Sequence, residues 1–360
     1  MDKKLAALIN FTGNSYHWGC HGTSMEVYQT LLERGYYVEI LEVEDTHSLS
    51  PTPELVEHYD DAAFLKTYVA ANPRLARMLA NADVVVVNGE GTLHRTHKAP
   101  LNLLYLMYVA KKAFRKQVHL INHSFFPNGD AEPNEVRDRI YGGVARALDR
   151  VVPREALSRS ILERLGVKAA QGFDCLPRFI ERHKMTGSAR MGTGILVSGG
   201  VAFTPATCAA VGKLLKRFGN AGGPVMFLTG AKGNAAREDA AIFAAIKGEF
   251  PAIELADARS MRSWLECIGA ARCLVSGRYH HTLAAASLGV PFMVLPSNTP
   301  KIEATLEMLG APGALAPPTD AGFGRIGSFI DECLAGNAKP VDMQRIRDVV
   351  SLSGNNFDGL

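Results

Sequence analysis

The stretch Val275-Ser276-Gly277-Arg278-Tyr279-His280-His281-Thr282-Leu283-Ala284-Ala285-Ala286, with Gly289-Val290-Pro291 close behind it, reads as a strand, a polar loop and a helix in direct succession. A short apolar run ends at Gly277, and a segment of small helix-forming residues follows. Working outward, the same alternation recurs. Strands are expected at 5–11, 36–41, 84–88, 118–122, 150–153 and 169–173, then at 195–198, 225–229, 253–255, 273–276 and 292–295. Helices are expected at 24–34, 100–114, 133–148, 155–165, 205–218, 235–248, 261–270, 281–288 and 300–309, with two more near 323–334 and 341–350. Short β-branched runs alternating with longer amphipathic segments are the pattern of βαβ units around parallel sheets. The periodicity fades at 174–194, an Arg-, Gly- and Pro-containing stretch that reads as an interdomain linker.

The chain has 360 residues, more than one α/β domain usually holds. The expectation is an N-terminal domain over 1–185, a C-terminal domain over 190–335 and a C-terminal helix and tail over 336–360. Hydrophobic residues make up 47% and charged residues 21%, an ordinary globular balance. The formal charge of +3 and the lack of a long Lys/Arg run give no support to a nucleic-acid groove. Mild basicity fits small anionic substrates, and it is compatible with peripheral association at an anionic membrane face. Cys20, Cys175, Cys208, Cys267, Cys273 and Cys333 are scattered without a C-x-x-C pair, so reduced packing cysteines are expected. The apolar run 5–11 is too short to span a membrane and reads as a buried strand; the run 101–110 reads as a core helix. A cytoplasmic location is expected, and the oligomeric state is left open.

Ligands of parallel α/β sheets bind beyond the carboxyl ends of the strands. Polar residues just after each expected strand are therefore the candidates. The first such loop contains His17, Trp18 and His21 among glycines. It reads equally as an anion cradle opening a helix or as a tight turn. The third carries Asn88-Gly89-Glu90-Gly91-Thr92-Leu93-His94, in which Glu90 is a candidate base or hydrogen-bond acceptor for a sugar hydroxyl. Asn88 and His94 are candidates for the same wall. His94 and His97 lack an accompanying acidic motif, so no metal is expected. His123 follows the fourth strand, as a candidate catalytic group or a structural histidine. In the second half, Arg278 and His280 emerge where a strand ends and a helix begins. A permanently charged guanidinium near a helix N-terminus suits a carboxylate or phosphate. An imidazole beside it can transfer a proton near neutral pH. Ser276, Gly277, His281, Lys301 and the Gly199-Gly200 pair complete the expected donor side.

At these residues the sequence resembles the polysaccharide pyruvyl transferase family, which carries Arg-x-His after a late strand, a small-residue helix, Gly-x-Pro and a downstream Lys. Arg278, His280, Gly289, Pro291 and Lys301 match in order. Asn88-Gly89-Glu90-Gly91 is similar to the family's glycine-rich loop. Pro153-Arg154-Glu155 with Ser158 is similar to its Arg-Asp/Glu-x-x-Ser segment, and Asp174 to its post-strand Asp. The likeness spans roughly residues 11–310. It implies two Rossmann-like domains facing each other across a cleft, in the GT-B manner. It implies phosphoenolpyruvate as co-substrate, no other cofactor, and a pyruvate ketal formed on a sugar or lipid-linked oligosaccharide acceptor. Arg278 would hold the donor and His280 would act as general acid. Two positions depart from the family. His17-Trp18-Gly19-Cys20 stands where Asn-x-Gly-Asp is usual, and the 198–202 loop lacks an Arg. Lys232, Arg259, Arg262 and Lys301 are the cations that could substitute. The same features fit a GT-B glycosyltransferase using a nucleotide-activated sugar, or a non-catalytic sugar-binding or assembly protein that kept the fold.

Overall fold

A computed structural model describes residues 4–14, 17–185, 194–219, 223–230 and 233–360. The chain divides into two compact units: Met1–Ser15 with Thr23–Cys175 and Val350–Leu360, and Tyr16–Gly22 with Leu176–Val349.

The first unit runs β1 (Leu5–Phe11), α1 (Trp18–Glu33), β2 (Tyr37–Glu42), α2 (Val43–Ser48), α3 (Ala62–Ala71), α4 (Pro73–Asn81), β3 (Val84–Glu90), α5 (Lys98–Lys112), β4 (Gln117–His123), α6 (Glu135–Ala147), β5 (Arg150–Pro153) and α7 (Ala156–Arg164). The opening residues of α1, through Gly22, belong to the second unit. The strands pair in parallel in the order β2-β1-β3-β4-β5. Val84, Val85, Val86 and Val87 lie in register with Ala6, Ala7, Leu8 and Ile9, and none of the eight is more than 3% exposed. A central strand covered on both faces reads as an unbroken apolar run rather than an alternation. Burying each such valine stabilises the fold by about 1.5–3 kcal/mol. The chain's last residues return to this unit, where Asn356 Nδ2 donates to Phe173 O (2.9 Å) and Arg150 pairs with Asp358 (2.9 Å).

The second unit holds α8 (Leu176–Arg182), β6 (Ile195–Gly200), α9 (Pro205–Lys216), β7 (Val225–Thr229), α10 (Gly233–Glu249), β8 (Glu254–Asp257), α11 (Met261–Gly269), β9 (Cys273–Gly277), α12 (Tyr279–Ser287), β10 (Phe292–Val294), α13 (Lys301–Met308), α14 (Asp320–Leu334) and most of α15 (Met343–Gly354). Its parallel order is β10-β9-β6-β7-β8. Each sheet therefore reverses direction once. The first does so between β1 and β3, the second between β6 and β9. Such reversal points are where parallel sheets open a crevice for a ligand. Among the described residues no helix is long and apolar enough to cross a membrane.

Four local expectations need correction. Residues 169–173 are not a strand. Ala170 and Gly172 N–H groups bond to Val151 and Pro153 carbonyls, but Pro153 has no N–H with which to continue a ladder. The expected linker over 174–194 contains α8; residues 186–193 of it lie outside the described residues. α1 begins at Trp18, six positions before the expected Ser24, because Gly19 and Gly22 look like helix breakers while serving close packing. A Cβ on Gly22 would stand 2.7 Å from Met261 and 2.8 Å from Leu176. Finally, α2, α3 and α4 fill residues 43–81, where no element was expected.

Candidate functional site

In the second unit, β6 and β9 end side by side at the reversal point. Ser198 Oγ donates to Ser276 Oγ (2.7 Å), and the Arg278 N–H donates to the same Ser276 oxygen (2.9 Å). Gly200 and Gly277 allow the strand ends to touch: a Cβ on Gly200 would lie 2.4 Å from the Gly277 carbonyl carbon. The chain passes straight from β9 into α12, with Arg278 in the extended N-cap conformation.

The Arg278 side chain is 12% exposed. Its Nη2 donates to Asp239 Oδ1 on α10, and Glu238 Oε2 stands 4.0 Å away. Its Nη1 donates to His17 Nε2 (3.0 Å). Arg278 Nε and Asp239 Oδ2 are buried without a hydrogen-bond partner. Burial raises the Asp239 carboxyl above its ordinary value, although Arg278 pulls the other way. The guanidinium expected to hold a carboxylate or phosphate is thus already half committed within the fold.

Three imidazoles surround this arginine. His17 Nε2 accepts from Arg278, so its proton sits on Nδ1. His281 Nε2 accepts from the indole N–H of the fully buried Trp264 (3.0 Å), which also places the proton on Nδ1. Burial, reinforced by the charge of Arg278, holds both rings well below the usual histidine range. Both are therefore neutral. His280, in the first turn of α12 and 7% exposed, has its Nδ1 3.5 Å from Cys20 Sγ. Gly19 makes that approach possible, since a Cβ there would lie 2.1 Å from His280 Cβ. Trp18 fixes the same turn, with its backbone N–H on Gly230 O (2.8 Å) and its indole N–H on Ala258 O (2.7 Å).

The first unit gathers its polar groups around the ends of β1, β3, β4 and β5. Arg154 is 1% exposed, and its Nη1 donates to Asp174 Oδ2 (2.9 Å) while its Nε donates to Ser124 Oγ (3.0 Å). Glu90 and Glu155 carboxylates lie 3.8 and 3.9 Å from the same guanidinium. Each carboxylate also accepts from a hydroxyl: Thr12 to Glu90 (2.8 Å), Ser158 to Glu155 (2.9 Å) and Thr23 to Asp174 (3.2 Å). Asn88 Nδ2 donates to Ser24 Oγ (3.1 Å). His123 pairs with Glu90 across β3 and β4 and is fully enclosed; burial, then Arg154, pushes it down to about 3.

The expected candidates thus separate into two groups. Arg278, His280, His281, Ser276, Gly277, Gly199 and Gly200 come together in the second unit, and His17 and Trp18, read with the acceptor wall, join them there. His21 lies edge-on to Trp18 (5.7 Å between centroids). Glu90, Asn88 and His123 form the enclosed cluster of the first unit. His94 stands nearby in sequence, with its Nδ1 2.8 Å from Gly91 O. Lys301 opens α13 and its ammonium donates to Asn298 (3.2 Å). Of the other cations, Arg259 pairs with Asp257 (2.7 Å) and Arg262 with Glu266 (3.8 Å), both exposed; Lys232 lies outside the described residues. Sequence reading missed Asp239, Trp264, Gly230 and the contact of Cys20 with His280. Asp239 had a signal. It lies on the inward stripe of α10 with Ala235 and Ile246, and an acid on a buried stripe needs a partner.

No family model matches the chain, and no curated protein matches it. Solved structures do. Sucrose-phosphate synthase from Thermosynechococcus elongatus matches with a TM-score of 0.62 at 13% identity, over 97% of this chain and 95% of that one. UDP-N-acetylglucosamine 2-epimerase from Rickettsia bellii matches with a TM-score of 0.60 at 11% identity, over 99% and 95%. The epimerase from Neisseria meningitidis, bound to UDP-GlcNAc, matches with a TM-score of 0.59 at 12% identity, over 97% and 99%. The fold is GT-B-like. At these identities the likeness establishes two Rossmann-like α/β domains, not a substrate.

Proposed function

We propose that the chain is a transferase that takes a group from an anionic, activated donor held at the β6 and β9 ends and delivers it to a sugar hydroxyl, and that the donor is a nucleotide-activated sugar. The observation that carries this reading is the placement of Arg278 and His280 at the opening turn of α12, on the reversal point of the second sheet. As the bond to the sugar breaks, negative charge gathers on the departing diphosphate. The partial positive charge of a helix N-terminus opposes it. Arg278 adds a full charge, and its Nε–H is the donor not yet used within the fold. Nucleotide-sugar enzymes among the solved structures of this fold support the choice of donor. For the first unit we propose a role toward the acceptor, with Glu90 as candidate base. His123, enclosed and neutral, is left with a structural part. No cofactor beyond the donor is invoked.

One observation favours a second reading, pyruvyl transfer from phosphoenolpyruvate: the ordered series Arg278, His280, Gly289, Pro291 and Lys301. There, His280 would give its proton to the methylene carbon, leaving an oxocarbenium-like carbon two. A sugar hydroxyl would add, phosphate would leave with its bonding pair, and a second hydroxyl would close the ketal. A donor screen separates the readings by nucleotide release against phosphate release. With the correct donor, His280→Ala lowers turnover by about 10²–10⁴-fold. Arg278→Ala weakens donor binding as well. Wild-type turnover by both variants overturns the site assignment.

A further inference from the structure

Arg278 is held from two sides by partners of different charge. Its Nη2 donates to the Asp239 carboxylate on α10, with the exposed Glu238 carboxylate 4.0 Å away. Its Nη1 donates to His17 Nε2 at 3.0 Å. A guanidinium can only donate, so the ring nitrogen that receives it carries no proton, and the imidazole acts as an uncharged acceptor. His17 is set in place by the chain around it. Its carbonyl accepts from the His21 N–H (3.0 Å), and the N–H of the next residue, Trp18, is tied to Gly230 O (2.8 Å). With Nη1 and Nη2 each engaged, Arg278 Nε remains buried without a hydrogen-bond partner.

We infer that His17 is the positioning residue for Arg278: a neutral acceptor that fixes the guanidinium at the end of β9 without cancelling the charge it offers to an anion. A carboxylate in the same place would hold the guanidinium at least as firmly, because charge-assisted hydrogen bonds are the stronger ones. It would also neutralise it, as the carboxylates of Glu90, Glu155 and Asp174 do around Arg154. An apolar side chain would spare the charge and lose the orientation. The imidazole supplies orientation and spares the charge, so that Asp239 is the one close counter-ion of Arg278.

The inference rests on the reading of Arg278 as the group that holds the donor's anion, but its first test does not. Proton–nitrogen spectra of arginine-labelled full-length chain, with the Arg278 signals assigned by their loss in Arg278→Leu, report how freely each Nη group turns. Wild type is expected to hold both. His17→Phe is expected to release Nη1 while Nη2 stays held by Asp239. His17→Gln and His17→Glu, each with an oxygen acceptor, are expected to keep Nη1 held. Binding of inorganic pyrophosphate, followed by calorimetry, then separates orientation from charge. His17→Glu is expected to weaken it about 10–100-fold, the worth of a hydrogen bond to a charged group. His17→Phe is expected to weaken it less, and His17→Gln to stay near wild type; a merely structural histidine would make the Gln and Glu variants lose alike. An Nη1 group that stays held in folded His17→Phe overturns the inference, whatever the donor proves to be. So does pyrophosphate binding as tight in His17→Glu as in wild type while Arg278→Leu binds it weakly. Release of Nη1 in His17→Phe together with wild-type pyrophosphate binding by Arg278→Leu upholds the hold of His17 on the guanidinium and instead overturns the donor reading of Arg278.

Discussion

Each unit places an arginine at the end of a parallel sheet, and the two are treated in opposite ways. Arg154 is 1% exposed and surrounded by three carboxylates, each of which accepts from a hydroxyl as well. Arg278 is 12% exposed, has one buried carboxylate and one neutral imidazole for partners, and keeps an unused Nε–H. A guanidinium enclosed with its counter-charges is a fastener, because any ligand would first have to displace bonds made in the dry interior. One left partly unsatisfied at a strand end retains something to offer an incoming anion. Both positions looked alike in the sequence, each a basic residue just past a strand.

The strongest way to break this contrast is to remove the two arginines separately. Arg154→Leu strands three buried carboxylates and is expected to destabilise the chain by about 3–5 kcal/mol. Arg278→Leu strands one, whose carboxyl is already pushed toward its protonated form by burial. Its cost is expected to be smaller, about 1–3 kcal/mol. Chemical unfolding followed by far-ultraviolet circular dichroism measures both. Tryptophan fluorescence adds a local reading, since the chain has two tryptophans and both, Trp18 and Trp264, belong to the second unit. Equal losses for the two variants would erase the distinction.

Acid sharpens the comparison next. His123 in the first unit, and His17 and His281 in the second, are held below the ordinary histidine value mainly by burial. The unfolded chain therefore binds protons that the folded chain refuses. Stability is fully present above about pH 6.5 and falls as pH drops, by about 1.4 kcal/mol per pH unit for each such ring. For His123 the loss continues down to about 3. His123→Leu is expected to reduce the slope between pH 6.5 and 5 by one histidine's share. An unchanged slope would mean that the enclosed ring takes up its proton as readily as a free one.

How much of this was legible beforehand follows from the same residues. The central strands were visible because parallel strands covered on both faces are nearly continuous apolar runs, as at Val84–Val87. Arg278 and His280 were visible because strand, loop and helix meet there without padding. Hidden were features whose meaning depends on a partner far away in the chain. Cys20 meets His280, 260 positions on. Gly19 and Gly22 hid the start of α1, because local propensity counts against glycine in a helix while packing required it there. Asp239 was the readable exception: an acid on a buried helix stripe implies a partner, and that partner is Arg278.

Asp239 gives the smallest and most diagnostic change. Asp239→Asn removes the charge from the ion pair but keeps an amide able to accept from Nη2. It also removes a carboxylate whose burial costs free energy. These effects oppose each other, so the net change at pH 7 is expected to lie within about 1 kcal/mol. Its pH dependence has a definite sign. The folded carboxyl binds its proton more readily than the unfolded one, so in the window just above pH 3.8 it contributes stability that is lost as pH rises through the folded value. Asp239→Asn is expected to flatten that window, opposite in sign to the histidine effect. Freed of its counter-charge, Arg278 is expected to bind the anionic donor more tightly, with KM falling while kcat falls or holds, because its orientation was set in part by the lost carboxylate. A rise in KM would instead mean that Arg278 grips the donor only while Asp239 aims it, and the partly open arginine would then be as dependent on its acid as Arg154 is on Asp174.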